Sequence, residues 1–136
     1  MTDEKSNILV SIEATDFQEV HKYIIYKGFK VESEINTYKL HTGVFEDGTS
    51  ALGPNWEGHN KMFFSTKDCE YDIDSSRHCA IAFGGGWWHE KCFTLNPNNH
   101  YSAVEKLLFG SAMSWHAWHN GHTKVMKTFQ MSMKEV

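Results

Sequence analysis

Apolar and polar residues alternate over several short stretches, mostly in the first third of the chain. Residues 7–13 (NILVSIE) alternate in part, and residues 22–28 contain the run YIIY, which favours a strand. Tyr38, Leu40 and Thr42 alternate with more polar residues, as in a half-buried strand. The tail KVMKTFQMSMK alternates again. The pattern therefore predicts short strands early in the chain and a closing strand at its end.

The C-terminal half has few regular patterns and is rich in Trp, Gly, His and Cys. Residues 46–60 carry the turn signals EDGTS, GPN and EGHN, and the proline within LNPNNHY excludes regular structure there. Only residues 102–109 (SAVEKLLF) predict a helical turn. Loops of this kind need another source of order, which is commonly a disulfide or a bound cation.

Composition narrows the class of protein. The chain has 136 residues, of which 40% are hydrophobic, enough for one domain with a core. Aromatic residues reach 14% and serve both cores and recognition surfaces. The net charge is -4 and no basic run occurs, so nucleic-acid binding is not expected. Apolar stretches are too short for membrane insertion, and the start MTDEKSN lacks the pattern of a signal peptide.

Three cysteines, Cys69, Cys79 and Cys92, occur without a Cys-x-x-Cys motif, which excludes a zinc ribbon or a thioredoxin-type site. Composition leaves open whether any pair is oxidised. A hydrolase would need a nucleophile, a base and an orienting acid, and no motif supplies them.

Four acidic residues alternate along one segment: Asp68, Glu70, Asp72 and Asp74. In an extended chain they share one face and repel each other unless a hard cation such as calcium lies among them. An EF-hand is excluded because Ile73 and Cys79 stand where its loop requires Gly and Glu. The alternative is a solvated acidic loop.

Three histidines recur at every third position: His116, His119 and His122. On a helix the first two would share a face and could bind zinc. Asn120 and Gly121 argue against a regular helix, which favours exposed loop histidines.

Several motifs occur in one order: FSTKD, CA, GGWW followed by KC, a W-x-x-W pair, and the ending K-x-x-x-M-x-M-K. Upstream, residues 26–40 read YKGFKVESEINTYKL. Together they resemble the C-terminal domain of fibrinogen and its relatives, the ficolins, tachylectins, angiopoietins and tenascins. The resemblance implies an α+β fold with a twisted, mainly antiparallel sheet, few helices and a loop-rich calcium and ligand subdomain.

The resemblance also implies a domain organisation. Residues 1–136 would form a partial domain, with a sheet-bearing part over about 7–60, a loop-rich binding part over about 61–125 and a closing strand over about 124–134. The family's N-terminal subdomain has no counterpart, so the chain is interpreted as truncated at its N-terminus, as a fragment or a natural short form. The resemblance further implies secretion and a homo-oligomer in the full-length context.

By the same resemblance, Cys79 and Cys92 form a disulfide, and Cys69 remains free or bridges elsewhere. Calcium (Ca2+) would be held by the side chains of Glu70 and Asp72 and by backbone carbonyls near Asp74 and Ser76. The Lys91–Cys92 peptide would be cis. At least one of the paired tryptophans, Trp87 and Trp88, is expected in the core.

A ligand pocket is implied at the following positions: Lys91, Cys92, Phe93, Phe109, Gly110 and His122. In the family's lectins, rings hold an acetyl methyl there and backbone N–H groups near the second cysteine bind its oxygen. The predicted function is thus a calcium-stabilised extracellular recognition module of the innate-immune lectin type, binding an acetylated glycan or a protein partner. A structural protein-contact module is the alternative, and a zinc- or cysteine-dependent enzyme is disfavoured.

Overall fold

The computed structural model describes residues 6–49, 56–105, 109–119 and 124–136. Its largest element is a four-stranded antiparallel sheet of β1 (Ile8–Thr15), β2 (His21–Lys27), β5 (Val44–Gly48) and β8 (Thr128–Glu135). The strand order in this sheet is β5-β2-β1-β8. The last strand of the chain thus pairs with the first. Within the described ranges, no helix has the length and apolar character needed to cross a membrane.

The remaining elements are short. β3 (Lys30–Val31) pairs with β4 (Leu40–His41), and β6 (Leu95–Asn96) pairs with β7 (Ser114–Trp115). The helices are α1 (Cys79–Phe83) and α2 (His116–His119), with 3-10 turns at Glu34–Asn36 and Glu57–His59. Because these elements are so short, the second half of the chain depends on side-chain contacts for its shape.

The core lies against one face of the sheet. Val10, Ile12 and Ala14 alternate along β1 and are buried, as their period of two requires. Trp56, which is fully buried, lies in the middle of this core. Its ring centroid is 5.8 Å from that of Tyr26 and 6.1 Å from that of Trp87. Aromatic pairs of this kind contribute about 0.5–1.5 kcal/mol each beyond their buried area.

Two local expectations from the sequence are met at most in part. The alternation from Tyr38 to Thr42 yields only the two-residue β4, because Thr37 and Tyr38 both adopt left-handed backbone angles (φ 53° and 51°) that interrupt a strand. The helical turn expected over residues 102–109 does not include residues 102–105, which are not helical, and residues 106–108 lie outside the described residues. By contrast, strands do occur at residues 7–13, at 22–28 and in the tail, as predicted.

Candidate functional site

The loop-rich half is organised around one disulfide. Cys79 begins α1 and is bonded to Cys92, thirteen residues later, with a Cα–Cα distance of 5.4 Å. The pairing implied by the resemblance is therefore confirmed. The Lys91–Cys92 peptide is cis, as the resemblance also implies. Cys69 is free and exposed.

Three phenylalanine rings meet beside this disulfide, and we call Phe83, Phe93 and Phe109 the aromatic cluster. Phe83 closes α1, and its ring centroid lies 5.2 Å from that of Phe93 and 6.0 Å from that of Phe109, both in edge-on geometry. Phe109 is 58% exposed. The cluster thus presents an apolar surface that solvent reaches.

Gly110 gives the cluster its close packing. Its φ is +68°, and a Cβ at this position would lie 2.4 Å from the Phe83 Cδ1 atom. Both features require glycine. The Asn99 side-chain amide donates to the Gly110 carbonyl at 2.7 Å and to the Ala112 carbonyl at 3.1 Å, which holds this segment against the ring.

A buried histidine fixes the backbone that follows Cys92. The Thr94 amide donates to His59 Nε2 at 3.1 Å, so the proton of the neutral ring lies on Nδ1, which donates to the Trp88 carbonyl at 2.8 Å. The Glu90 amide donates to the Cys92 carbonyl at 2.7 Å. Within the described part of the chain the Cys92 amide has no acceptor, which leaves a backbone donor beside the aromatic cluster.

Residues 68–77, which we call the acidic loop, are tied to α1 by Asp72. Its Oδ1 accepts from the Asp74 amide at 3.0 Å and its Oδ2 accepts from the Cys79 amide at 3.0 Å. Asp74 in turn accepts through Oδ1 from the Ser76 amide at 2.9 Å and the Ser76 hydroxyl at 2.6 Å. The loop therefore holds its shape through its own carboxylates.

Arg77 joins the acidic loop to the aromatic cluster. Its Nε donates to Asp74 Oδ2 at 2.9 Å, and its guanidinium carbon lies 4.9 Å from the centroid of the Phe83 ring. The hydroxyl and the amide of Ser76, and then Arg77, lower the pKa of Asp74 to about 2. Asp74 is thus ionised at neutral pH, and its negative charge is compensated by the guanidinium of Arg77.

The oxygen chemistry of the acidic loop fits calcium. Among the described residues, the close group of three ligand-type side chains is Asp74 with Cys79 and Cys92, but both sulfurs belong to the disulfide and offer no thiolate. The remaining donors are hard oxygens, with Glu70 exposed and Asp72 half-buried. Since each carboxylate oxygen has a second lone pair, the hydrogen bonds of Asp72 leave acceptor capacity for a cation.

His89 is buried behind the cluster, with its ring 6.2 Å from that of Phe93. Its Nε2 lies 3.1 Å from the Gly85 carbonyl, while its Nδ1 has no hydrogen-bond partner among the described residues. Burial lowers the pKa of His89. A neutral imidazole is therefore favoured here.

The structure brings most of the predicted pocket positions together. Cys92 is buried, the adjacent Lys91 is exposed, and Phe93, Phe109 and Gly110 pack on or beside Phe83. His122 lies outside the described residues. These positions are therefore candidate ligand contacts whose binding role stays a prediction.

Two other predictions are resolved by the structure. Trp87 and Trp88 are both buried in the core, as expected for at least one of them. The expectation of loop histidines is wrong for the first part of that segment, because α2 spans His116–His119. Asn120, Gly121 and His122 lie outside the described residues. His116 is exposed at the start of that helix.

Sequence reasoning missed Phe83 and Arg77, which connect the disulfide, the aromatic cluster and the acidic loop. The only local signal was the spacing of Phe83 from Cys79, which places the two residues one turn apart on a helix.

The whole chain, residues 1–136, matches the model of the C-terminal globular domain of fibrinogen beta and gamma chains. The chain belongs to the fibrinogen C-terminal domain family. This family consists of non-enzymatic recognition proteins, and the family assignment therefore favours a recognition role over an enzymatic one.

Curated relatives agree with this assignment. Ryncolin-4 of Cerberus rynchops is 34% identical over 104 residues, which is 76% of this chain and 29% of the relative. Techylectin-5A of Tachypleus tridentatus is 32% identical over 116 residues, which is 85% of this chain and 38% of the relative. The chain thus spans about a third of the length of these proteins.

Solved structures confirm the α+β fibrinogen-like fold. The fibrinogen-like globe domain of human ANGPTL6 superposes with a TM-score of 0.88 at 23% identity, covering 97% of this chain and 58% of that chain. Lamprey fibrin D-dimer, solved with the peptide ligand Gly-His-Arg-Pro-amide, gives a TM-score of 0.78 at 24% identity, covering 93% and 44%.

Proposed function

We propose that this chain is an extracellular, calcium-stabilised recognition module whose aromatic cluster binds the acetyl group of an acetylated glycan. The observation that supports this is the Cys92 amide, which has no acceptor among the described residues and lies next to Phe93 of the cluster. An acetyl group offers one methyl for the rings and one carbonyl oxygen for such a donor.

Calcium would act on this site indirectly. The ion would be held by the side chains of Glu70 and Asp72 and by the backbone carbonyls of Asp74 and Ser76. It would supply a fixed positive charge to an acid-rich loop. Asp72 already accepts from the Cys79 amide, so the order of the acidic loop reaches the disulfide and through it Cys92.

The acetyl site is small, so one sugar should bind weakly, with useful affinity arising from several copies in an oligomer. Titration by NMR with N-acetylglucosamine and with glucosamine tests the proposal. We expect acetyl-dependent shifts at residues 91–94 and 109–110. Phe109→Ala should abolish them, while Tyr101→Ala, which removes another highly exposed ring outside the cluster, should leave them intact.

A protein-contact module is the second candidate, favoured by the fibrin neighbour that was solved with a peptide ligand. Equal shifts with both sugars, or none at high concentration, would contradict acetyl recognition and favour this alternative.

A further inference from the structure

Asn99 is a buried polar residue in the irregular chain that follows β6, and it is only 7% exposed. Its Nδ2 donates to the Gly110 carbonyl at 2.7 Å and to the Ala112 carbonyl at 3.1 Å. Its Oδ1 accepts from the backbone amide of His100 at 2.8 Å. Since a carboxamide has one donor end and one acceptor end, these three bonds fix its orientation. The side chain therefore joins segments that lie 11 and 13 residues apart along the sequence.

Each end of the Asn99 side chain lies beside a glycine that directly follows a ring of the aromatic cluster. Gly84 follows Phe83, and a Cβ on Gly84 would lie 2.9 Å from Asn99 Oδ1. Gly110 follows Phe109, and its carbonyl is the nearer of the two that accept from Asn99 Nδ2. One side chain thus lies against both chain segments that carry the rings of Phe83 and Phe109.

The segment that carries Phe109 is held in place from two sides. The ring centroids of Phe83 and Phe109 are 6.0 Å apart in edge-on geometry. Gly110 packs so closely on Phe83 that a Cβ would lie 2.4 Å from Cδ1, which prevents the segment from moving inward. The hydrogen bonds from Asn99 oppose its movement outward. The spacing between the two rings is therefore fixed.

We propose that Asn99 is a positioning residue that sets the size of the acyl group which the aromatic cluster accepts. The proposal rests on the acetyl site proposed above and adds a size limit to it. Two rings in edge-on contact leave only a shallow recess, which fits a methyl group. One additional methylene has to push Phe109 away from Phe83, and the two bonds donated by Asn99 resist this movement. The chain therefore binds N-acetyl sugars and discriminates against N-propionyl sugars.

The ratio of the two affinities tests this size limit. An apolar pocket distinguishes ligands that differ by one methylene by about 10–200-fold. We expect the unmodified chain to bind N-acetylglucosamine about tenfold or more tightly than N-propionylglucosamine, as measured by NMR titration at residues 91–94. Asn99→Ala removes all three side-chain bonds, so the rings can separate and the ratio should fall below about threefold. A general loss of stability weakens the binding of both sugars together and leaves their ratio unchanged.

Asn99→Asp is a second variant, which keeps the shape of the side chain. It replaces the donor nitrogen with a carboxylate oxygen that repels the two carbonyls, so it should lower the ratio as Asn99→Ala does. Asn60→Ala is the matched control. It also removes a side-chain hydrogen bond to the backbone, because Asn60 Oδ1 accepts from the amide of the buried Thr42. Asn60 does not belong to the aromatic cluster, so the ratio should stay at about tenfold or more.

The contacts between the rings provide a test that needs no ligand. Nuclear Overhauser effects between Phe83 and Phe109 should be lost in both Asn99 variants, while those between Phe83 and Phe93 persist. If the unmodified chain shows no acetyl response, the proposed function fails, and these ring contacts still decide whether Asn99 fixes the spacing. Retained contacts between Phe83 and Phe109 in both variants would overturn the proposal, as would an unchanged affinity ratio. Simultaneous loss of both ring pairs would also overturn it, because Asn99 would then support the whole cluster and not one spacing.

Discussion

Arg77 lies across the ring of Phe83, with its guanidinium carbon 4.9 Å from the ring centroid, while its Nε donates to Asp74. One side chain thus contacts both the acidic loop and the aromatic cluster. A cation over a phenylalanine face contributes about 0.5–1 kcal/mol at an exposed site. Changes in the ionisation of the loop should therefore be detectable at the ring.

The ionisation of Asp74 gives the first prediction. Its pKa of about 2 results first from the Ser76 hydroxyl, then from the Ser76 amide and Arg77. Ser76→Ala should therefore raise this pKa more than Arg77→Ala does, as measured by NMR titration of the carboxyl carbon. The pKa of Asp68, which the Thr66 hydroxyl lowers, serves as the control and should change in neither variant. A larger effect of Arg77→Ala would contradict this order of causes.

The sign of the pH effect on stability follows from the same lowered pKa. A carboxyl whose pKa is lower in the folded state than its value of 3.8 in a free chain stabilises the fold above that value. This contribution is lost as the pH falls from about 3.8 towards about 2. Removing the hydroxyl of Ser76 should therefore make acid unfolding of the chain less steep in this window.

His89 provides a second pH dependence with a different window. Burial lowers its pKa below 6.5, so the folded state favours the neutral ring, and stability should fall as the pH drops below 6.5. Each unit by which the pKa is lowered corresponds to about 1.4 kcal/mol. Urea unfolding at pH 7.5 and pH 5 measures how much unfolding free energy is lost at the lower pH. This loss should be smaller in His89→Gln than in the exposed control His21→Gln. An equal loss in both variants would remove His89 as the cause.

The strands of the sheet were predictable because each one is indicated by a pattern within its own short segment of sequence. Val10, Ile12 and Ala14 alternate within one short segment, and a period of two is visible without knowledge of what packs on them. β4 was less predictable. Two successive left-handed residues, Thr37 and Tyr38, shorten it, although neither is a glycine that would signal the turn.

The aromatic cluster was only partly predictable. Phe93 and Phe109 were predicted from the family resemblance. Phe83 contacts both of them, although it is separated from each by ten or more positions along an irregular part of the chain. A periodic sequence pattern does not predict such a contact. The pairing of Arg77 with Asp74 spans three residues, yet the position of Arg77 over Phe83 depends on where α1 begins.

The disulfide should contribute strongly to stability. A loop of this size closed by a disulfide stabilises a fold by about 3 kcal/mol in the chain-entropy model. The double variant Cys79→Ser with Cys92→Ser should lose roughly this amount in urea unfolding. Cys69→Ser removes an exposed, free thiol and should be neutral within about 0.5 kcal/mol. If the double variant were as stable as Cys69→Ser, the disulfide would not be needed to hold α1 in place.

Calcium binding is best tested with a variant that keeps the shape of the acidic loop. Asp72→Asn retains an oxygen for one of the two amides that Asp72 binds, but it removes the charge. We expect millimolar calcium to raise the Tm of the unmodified chain, with affinity at least tenfold lower in Asp72→Asn. Glu57→Gln, which removes an exposed carboxylate outside the acidic loop, should respond as the unmodified chain does. Equal Tm shifts in all three proteins would indicate that calcium acts elsewhere.

Gly110 offers the sharpest test of the cluster geometry. An alanine there would adopt a φ of +68°, which costs a residue with a side chain about 1–2 kcal/mol. Its Cβ would also lie 2.4 Å from Phe83 Cδ1 and 2.7 Å from Cε1, so the ring must move away from Phe93 and Phe109. Gly110→Ala should therefore lower the free energy of unfolding and also abolish the acetyl-dependent NMR shifts at residues 91–94.

The matched control is Gly58→Ala. Gly58 has no positive φ, and its added Cβ would lie 3.2 Å from the Glu90 carboxylate, where a flexible side chain can give way. Its other neighbour, Thr94 Cγ2, would lie at 4.0 Å, an ordinary van der Waals contact. This substitution should leave stability within about 1 kcal/mol of the unmodified chain and leave the acetyl response unchanged. Gly110→Ala acts on binding through the ring of Phe83, so Phe83→Leu should reproduce its loss of acetyl response with no strain at residue 110. If Gly110→Ala destabilises the chain but still binds the acetyl group, the ring contacts of Phe83 do not form the site.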